Sequence, residues 1–180
     1  MEELSRAQPI VLIMGVSGCG KTTIGTLLGL RTGWPFMDAD DLHPASNVTK
    51  MKQGIPLTDV DRWPWLDEVA AWISHQVQLG EPGVVACSAL KRRYRDLLRR
   101  ADPNLRVVYL RGDRAILTAR LEHRHGHFFP KLLLDAQLAD IEEPTPDEHA
   151  LIVPIGQIPD RTVDTIRVGL REQDGLSSVG

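Results

Sequence analysis

The 180-residue chain is 42% apolar and 25% charged, with 21 basic against 24 acidic side chains and a formal net charge of −3. That size and balance predict one domain with a packed core and exclude wholesale disorder, while the acidic balance argues against nucleic acid as a partner. No apolar run approaches a membrane span, the Met-Glu-Glu start does not read as a secretory signal, and the two cysteines, Cys19 and Cys87, suit a reducing compartment, so a cytoplasmic protein is expected.

Ile10-Val-Leu-Ile-Met14 reads as a buried strand. Directly after it stands Gly15-Val-Ser-Gly-Cys-Gly-Lys21-Thr22, a complete G-x-x-x-x-G-K-S/T loop, which opens a helical stretch carrying Ile24, Leu27 and Leu28. The spacing carries the chemistry. Glycines let backbone N–H groups turn inward around phosphate, and the helix N-terminus adds partial positive charge. Gly15, Val16, Ser17, Gly18, Cys19, Gly20, Lys21, Thr22 and Thr23 are therefore candidate nucleotide contacts. Among them Lys21 reaches the β- and γ-phosphates, as a catalytic cation, and the Thr22 hydroxyl ligates Mg²⁺. No N-K-x-D tetrapeptide follows anywhere, so nothing reads guanine.

Trp34-Pro35-Phe36-Met37 is a weaker strand, which Pro35 confines to a strand start or an edge. Asp38-Ala39-Asp40-Asp41-Leu42-His43 comes next. Ligand sites in parallel α/β sheets lie at the carboxyl ends of strands, so this segment is expected to face the phosphates. If the chain stays extended, Asp38 and Asp40 point to one side. One carboxylate can hold a Mg²⁺ water while the other takes a proton from an attacking hydroxyl; an acidic turn with Asp41 capping a helix is the alternative.

Trp65, Val69, Trp72, Ile73 and Val77 recur at helical spacing, which predicts an amphipathic helix with Trp65 and Trp72 in the core and leaves Trp63 open. Val84-Val85-Ala86-Cys87 is the third strand, and it closes on Cys87-Ser88 rather than on the aspartate that usually orients the metal. Tyr94, Leu97 and Leu98 mark another helix, Val107-Val108-Tyr109-Leu110 a fourth strand, Ile116, Leu117 and Leu121 a further helix, and Leu151-Ile152-Val153 a fifth strand. Gly175 onward reads as a frayed tail. Strands that are apolar throughout, separated by helices, predict a single α/β domain over 1–180 with a five-stranded parallel sheet covered on both faces.

The stretch Asp38-Ala-Asp40-x-x-His43-Pro44-x-x-Asn47-x-x-Lys50-Met51-x-x-Gly54-x-Pro56-Leu57-x-Asp59-x-Asp61-Arg62-x-Pro64-Trp65-Leu66 closely resembles the signature of the P-loop gluconokinases. The resemblance continues at Cys87-Ser-Ala-Leu-Lys91-x-x-Tyr94-Arg95-Asp96, at Arg124-His-Gly-His127-Phe128, and from Gln137 to Glu142-Glu143-Pro144. It departs from the pattern at Ala39, at Phe129 and over 153–159, where the adenine side is expected. What it implies is transfer of the ATP γ-phosphoryl group to the terminal hydroxyl of D-gluconate. It also implies ATP and Mg²⁺ as cofactors, a homodimer, and a three-layer, nucleoside-monophosphate-kinase-like sandwich with a mobile lid at about 123–135. Residues 38–66 would be the substrate-binding segment.

Polar residues in the shared blocks are the candidate substrate contacts: Asp40, His43, Lys50, Arg62, Lys91, His127 and Gln137. Arg62 can fork onto a carboxylate, or pair instead with Asp59 or Asp61. Lys91 follows a strand end, where a substrate contact belongs, or joins the solvated run Lys91-Arg92-Arg93. Arg120 and Arg124 are four apart on a predicted helix and share a face; as the edge of a lid, Arg120 would touch the nucleotide and Arg124 the transferring phosphoryl group, unless both pair with acids such as Glu122. His123, His125 and His127 alternate, yet no cysteine cluster accompanies them to make a zinc site. Asp38 is expected to hold Mg²⁺ through water and Asp40 to act as the acceptor-side base. Two other readings stay open: a kinase of another small hydroxy acid such as shikimate, whose family shows a triple glycine where this chain has Ser88-Ala89-Leu90, and a non-catalytic ATP-sensing module.

Overall fold

The protein is described from a computed structural model over residues 8–123 and 131–177. Five strands form one parallel sheet: β1 (Ile10–Met14), β2 (Phe36–Asp38), β3 (Gly83–Ala86), β4 (Arg106–Arg111) and β5 (Leu151–Pro154), in the order β2-β3-β1-β4-β5. They fall where the apolar runs predict. The central β1 is buried along its whole length, with Leu12 beside Val85 on one neighbour and Val107 on the other. Strand β2 lies at the edge and starts just after Pro35, whose carbonyl accepts from the Val84 N–H at 2.8 Å; the proline's missing donor costs the ladder nothing there.

Alternation along each strand divides the core in two. Val11, Ile13, Val84, Val108 and Leu110 pack against Ile24 and Leu28 of α1 (Lys21–Thr32), Leu117 and Leu121 of α5 (Arg114–Glu122), Leu134 of α6 (Lys131–Asp140), and Val163 and Ile166 of α7 (Pro159–Ser177). Ile10, Leu12, Met14, Val85 and Tyr109 pack against Trp65, Leu66, Val69 and Ile73 of α3 (Asp59–Leu79) and Tyr94 and Leu98 of α4 (Arg92–Ala101). A short α2 (Ala45–Lys52) joins the acidic segment to α3. The result is the expected three-layer sandwich.

Three details differ from the sequence expectation, the first being Ile116, expected on the apolar stripe of α5 but 37% exposed. Val77, placed on the buried stripe of α3, is 45% exposed. At 21 residues the helix runs about 30 Å, longer than the strands of the sheet, which run to at most six residues. The tail expected from Gly175 is helical to Ser177: Val163, Ile166 and Leu170 recur on one face of α7, and Gln173 donates to the His149 carbonyl at 2.9 Å.

Candidate active site

The phosphate cradle begins where β1 ends. Gly15 has φ 147° and sits so close to Cys19 Sγ and the Leu110 carbonyl that an added Cβ would lie 2.7 and 2.9 Å from them. Gly20, at φ 100°, turns the chain into α1 with no side-chain cap and no acidic residue in the first turn. The opening N–H groups of α1 therefore stay open to an anion. The Lys21 ammonium donates to the Val16 carbonyl at 3.1 Å.

Asp38 is the last residue of β2, and its carboxylate does two things. Oδ2 accepts from the Thr22 hydroxyl at 2.6 Å, and Oδ1 accepts from the Asp40 N–H at 3.0 Å. The second contact caps a 3₁₀ turn, Ala39–Leu42. The extended path that would align Asp38 with Asp40 is thus absent, and Asp38 rather than Asp41 is the cap. Asp38 meets the cradle through Thr22, and Asp40 by another route. Trp65 Nε1–H donates to the Ala39 carbonyl at 2.6 Å, holding the turn down, and Asp40 lines the same cavity of about 350 Å³ as residues 17–23. That cavity runs on past Leu110 and Arg120 to Ile155, Gly156, Gln157 and Thr162. Ile155, Gly156 and Gln157 fall in the 153–159 stretch where the adenine side is expected, and Gly156, with φ 124° just after a strand, makes the bend there; Thr162 was not singled out in the sequence. Arg120 lies over the cradle, its guanidinium 3.3 Å from the Cys19 carbonyl.

The Thr22–Asp38 pair fits a hard cation: two oxygen donors side by side at the mouth of the cradle, with no sulfur or nitrogen between them. Among the described residues no cluster of three or more His, Cys, Asp or Glu could hold a metal by itself.

Beyond Asp40 lies a charge network. Lys50 meets Asp61 at 2.7 Å, and that contact, with the Thr58 N–H, holds the Asp61 carboxyl down at about 2. Arg62, only 7% exposed, pairs with neither Asp59 nor Asp61; it donates to the Tyr94 hydroxyl and to Asp140, both at 3.1 Å. Lys91 reaches Asp59 at 3.3 Å and Asp140 at 3.8 Å, so it belongs to this network rather than to a solvated face. Arg93 and the Tyr94 hydroxyl also contact Asp59. The Tyr94 hydrogen bond, ahead of the neighbouring cations, holds the Asp59 carboxyl below its ordinary range. Among the described residues, four cations (Lys50, Arg62, Lys91, Arg93) thus face three carboxylates (Asp59, Asp61, Asp140), one positive charge more than negative.

His43 is stacked on Trp65 with ring centroids 4.1 Å apart, and burial, then the Arg62 charge, lowers its pKa to about 4. Gln137 does not face the network: its side-chain oxygen accepts from the Ser17 N–H at 2.7 Å, latching α6 to the cradle. Arg124 and His127 lie outside the described residues, as does the lid span 123–135 over 124–130; residues 131–135 open α6, where Leu133 and Leu134 are buried. Trp63, left open by the sequence, sits edge-on to Tyr94. Below the site, Arg95 and Glu148 form a wholly buried pair at 2.6 and 2.8 Å, and Arg95 also donates to the Ala89 and Leu90 carbonyls, fixing the loop that carries Lys91.

Comparison with known proteins places these features in a group. The family described as shikimate kinase matches residues 17–143. A gluconokinase from Gluconobacter oxydans is 45% identical over 156 residues, 87% of this chain and 88% of that one. The thermosensitive gluconokinase of Escherichia coli is 43% identical over 78% of this chain and 75% of its own. The crystal structure of a gluconokinase from Sinorhizobium meliloti superposes with a TM-score of 0.85 at 41% identity, covering 97% of this chain and 99% of that one.

Proposed function

The chain belongs to the gluconokinase family of P-loop kinases, and on that premise we propose that it transfers the γ-phosphoryl group of ATP to the terminal hydroxyl of D-gluconate, giving 6-phosphogluconate and ADP. The shikimate-kinase family match reflects a shared P-loop fold; identities of 43–45% are to gluconokinases. The observation that carries the proposal is that Thr22 and Asp40 line one cavity with the phosphate cradle, with Asp38 hydrogen-bonded to Thr22, beside a cation-rich network. A nucleotide sensor needs the first half of that arrangement and not the second.

Phosphoryl transfer asks for positioning and charge neutralisation more than for covalent help. The open N–H groups of α1 and the Lys21 ammonium bind phosphate oxygens. Thr22, with Asp38 through water, would hold Mg²⁺, which when bound offsets the charge of the phosphates. Asp40, 69% exposed toward the cavity, orients the acceptor hydroxyl and takes its proton. Arg62, Lys91 and Lys50 supply the positive field for the gluconate carboxylate; because each is already held by an aspartate, little ordering is left for substrate to do. Arg120 borders the nucleotide, Gln137 steadies the loop from behind, and Arg124 and His127 are assigned to the lid on the family resemblance. The same membership supports a homodimer in the cytoplasm. The free, buried thiols Cys19 and Cys87 suit a reducing compartment, and no helix among the described residues is long and apolar enough to cross a membrane.

A coupled ADP-release assay across gluconate, shikimate, glycerate and nucleoside monophosphates tests the assignment. Gluconate is expected to exceed the others by at least about tenfold in kcat/KM; no release above background with gluconate would overturn it. Asp40→Asn is expected to lower kcat by about a hundredfold or more while ATP affinity stays near wild type.

A further inference from the structure

Asn47 sits on α2 at 2% exposure, against His43. Its side-chain nitrogen makes two contacts, to the Asp61 carbonyl at 2.9 Å and to His43 Nδ1 at 3.2 Å. A backbone carbonyl can only accept, so the first contact fixes which end of the Asn47 amide points inward. The second hydrogen of the same NH₂ group then meets Nδ1, which must accept. A neutral imidazole whose Nδ1 accepts carries its proton on Nε2. That nitrogen faces Asp40 Oδ1 across 3.9 Å.

A gap of 3.9 Å is too long for a direct hydrogen bond and right for one oxygen to bridge. Nε2–H is a donor, and the Asp40 carboxylate is an acceptor. A hydroxyl set between them gives its hydrogen to Asp40 and receives one from His43, which fixes its direction and leaves a lone pair for attack. The ring is held against rotation by its stack on Trp65, whose indole N–H in turn anchors Ala39. Burial keeps the imidazole neutral near pH 7, so it offers a hydrogen bond and no competing acid.

We propose that Asn47 is a positioning residue that locks His43 in its Nε2–H tautomer, so that His43 and Asp40 together orient the acceptor hydroxyl of the sugar acid. This rests on Asp40 being the acceptor-side carboxylate. Without the lock, His43 can turn Nδ1 into a donor and present a bare Nε2 lone pair to the same hydroxyl, which then loses its second contact.

The tautomer is read directly by long-range ¹H–¹⁵N correlation on the full chain carrying ¹⁵N-histidine, with the His43 signals assigned by their loss in His43→Gln. An Nε2–H pattern is expected at neutral pH; an Nδ1–H pattern overturns the proposal whatever the kinetics. Kinetically, glutamine places its NH₂ where Nε2–H stood and asparagine where Nδ1 stood. His43→Gln is therefore expected to stay within about fivefold of wild-type kcat with gluconate, and His43→Asn to fall by about thirtyfold or more. Asn47→Ala is expected to lower kcat by about tenfold with KM for ATP unchanged. Equal losses in the two His43 variants, or full turnover in Asn47→Ala, overturn the proposal. Failure of the underlying reading is distinguishable: Asp40→Asn with wild-type turnover removes Asp40 from the acceptor side and leaves the tautomer to the spectra.

Discussion

Arg95 and Glu148 have no exposed atoms to speak of, and each depends on the other for its charge. Removing one partner of such a pair strands the second in a medium that cannot solvate it, whereas replacing both with apolar groups need not. Glu148→Gln is accordingly expected to cost about 3–5 kcal/mol, read from urea denaturation, and to loosen the loop bearing Lys91 so that KM for gluconate rises as well. At this scale the sequence was legible wherever partners are neighbours. Lys21 and Thr22 belong to a loop that folds on itself, and its roles follow from local spacing. Arg62 was not legible: its partners are Tyr94 and Asp140, 32 and 78 positions away, and only the packing of α4 and α6 beside α3 brings them together. Gln137 is similar, since its contact with Ser17 spans 120 residues.

Elements follow the same rule. The strands announce themselves because both faces of the sheet are covered, so each reads as an unbroken apolar run. Helices α2 and α7 do not, since α2 buries only Asn47 among the fully buried residues and α7 alternates its few apolar residues with charges. The turn after β2 escaped for a different reason: a carboxylate two residues before an N–H offers a cap that competes with extension, and the cap prevailed. Helix α3 starts at a reciprocal pair in which the Thr58 hydroxyl accepts from the Asp61 N–H and the Asp61 carboxylate from the Thr58 N–H. Thr58→Ala is expected to destabilise by about 1 kcal/mol in thermal denaturation. Because Asp61 also holds Lys50, the same variant should weaken gluconate binding more than ATP binding.

For the molecule as a whole, His43 ties folding to pH. Its pKa is about 4 folded against 6.5 unfolded, so between those values the unfolded chain binds the extra proton. The contribution is fully present above about pH 6.5 and is lost as pH falls toward 4, by about 3 kcal/mol in all. Chemical denaturation at pH 7 and pH 4.5 should show the loss in wild type and a smaller one in His43→Gln. Asp61, whose carboxyl is held near 2, adds its own decline only at lower pH, as its pairing with Lys50 is titrated away.

The ring of Phe36 lies so close to α1 that an added Cβ at Gly25 would come within 2.4 Å of it. Gly25 is one turn beyond Thr22, and Phe36 is two residues before Asp38, so this bare contact works as a calliper whose jaws are the hydroxyl and the carboxylate proposed for the cation. Gly25→Ala forces the jaws apart by a fraction of an ångström with every ligand still in place. A small ion that insists on short bonds tolerates this poorly, and a larger one tolerates it better. Titrating activity with Mg²⁺ and with Mn²⁺ should therefore show the variant needing more of the first and shifting its preference toward the second, a change of ionic taste caused by one methyl group that touches neither.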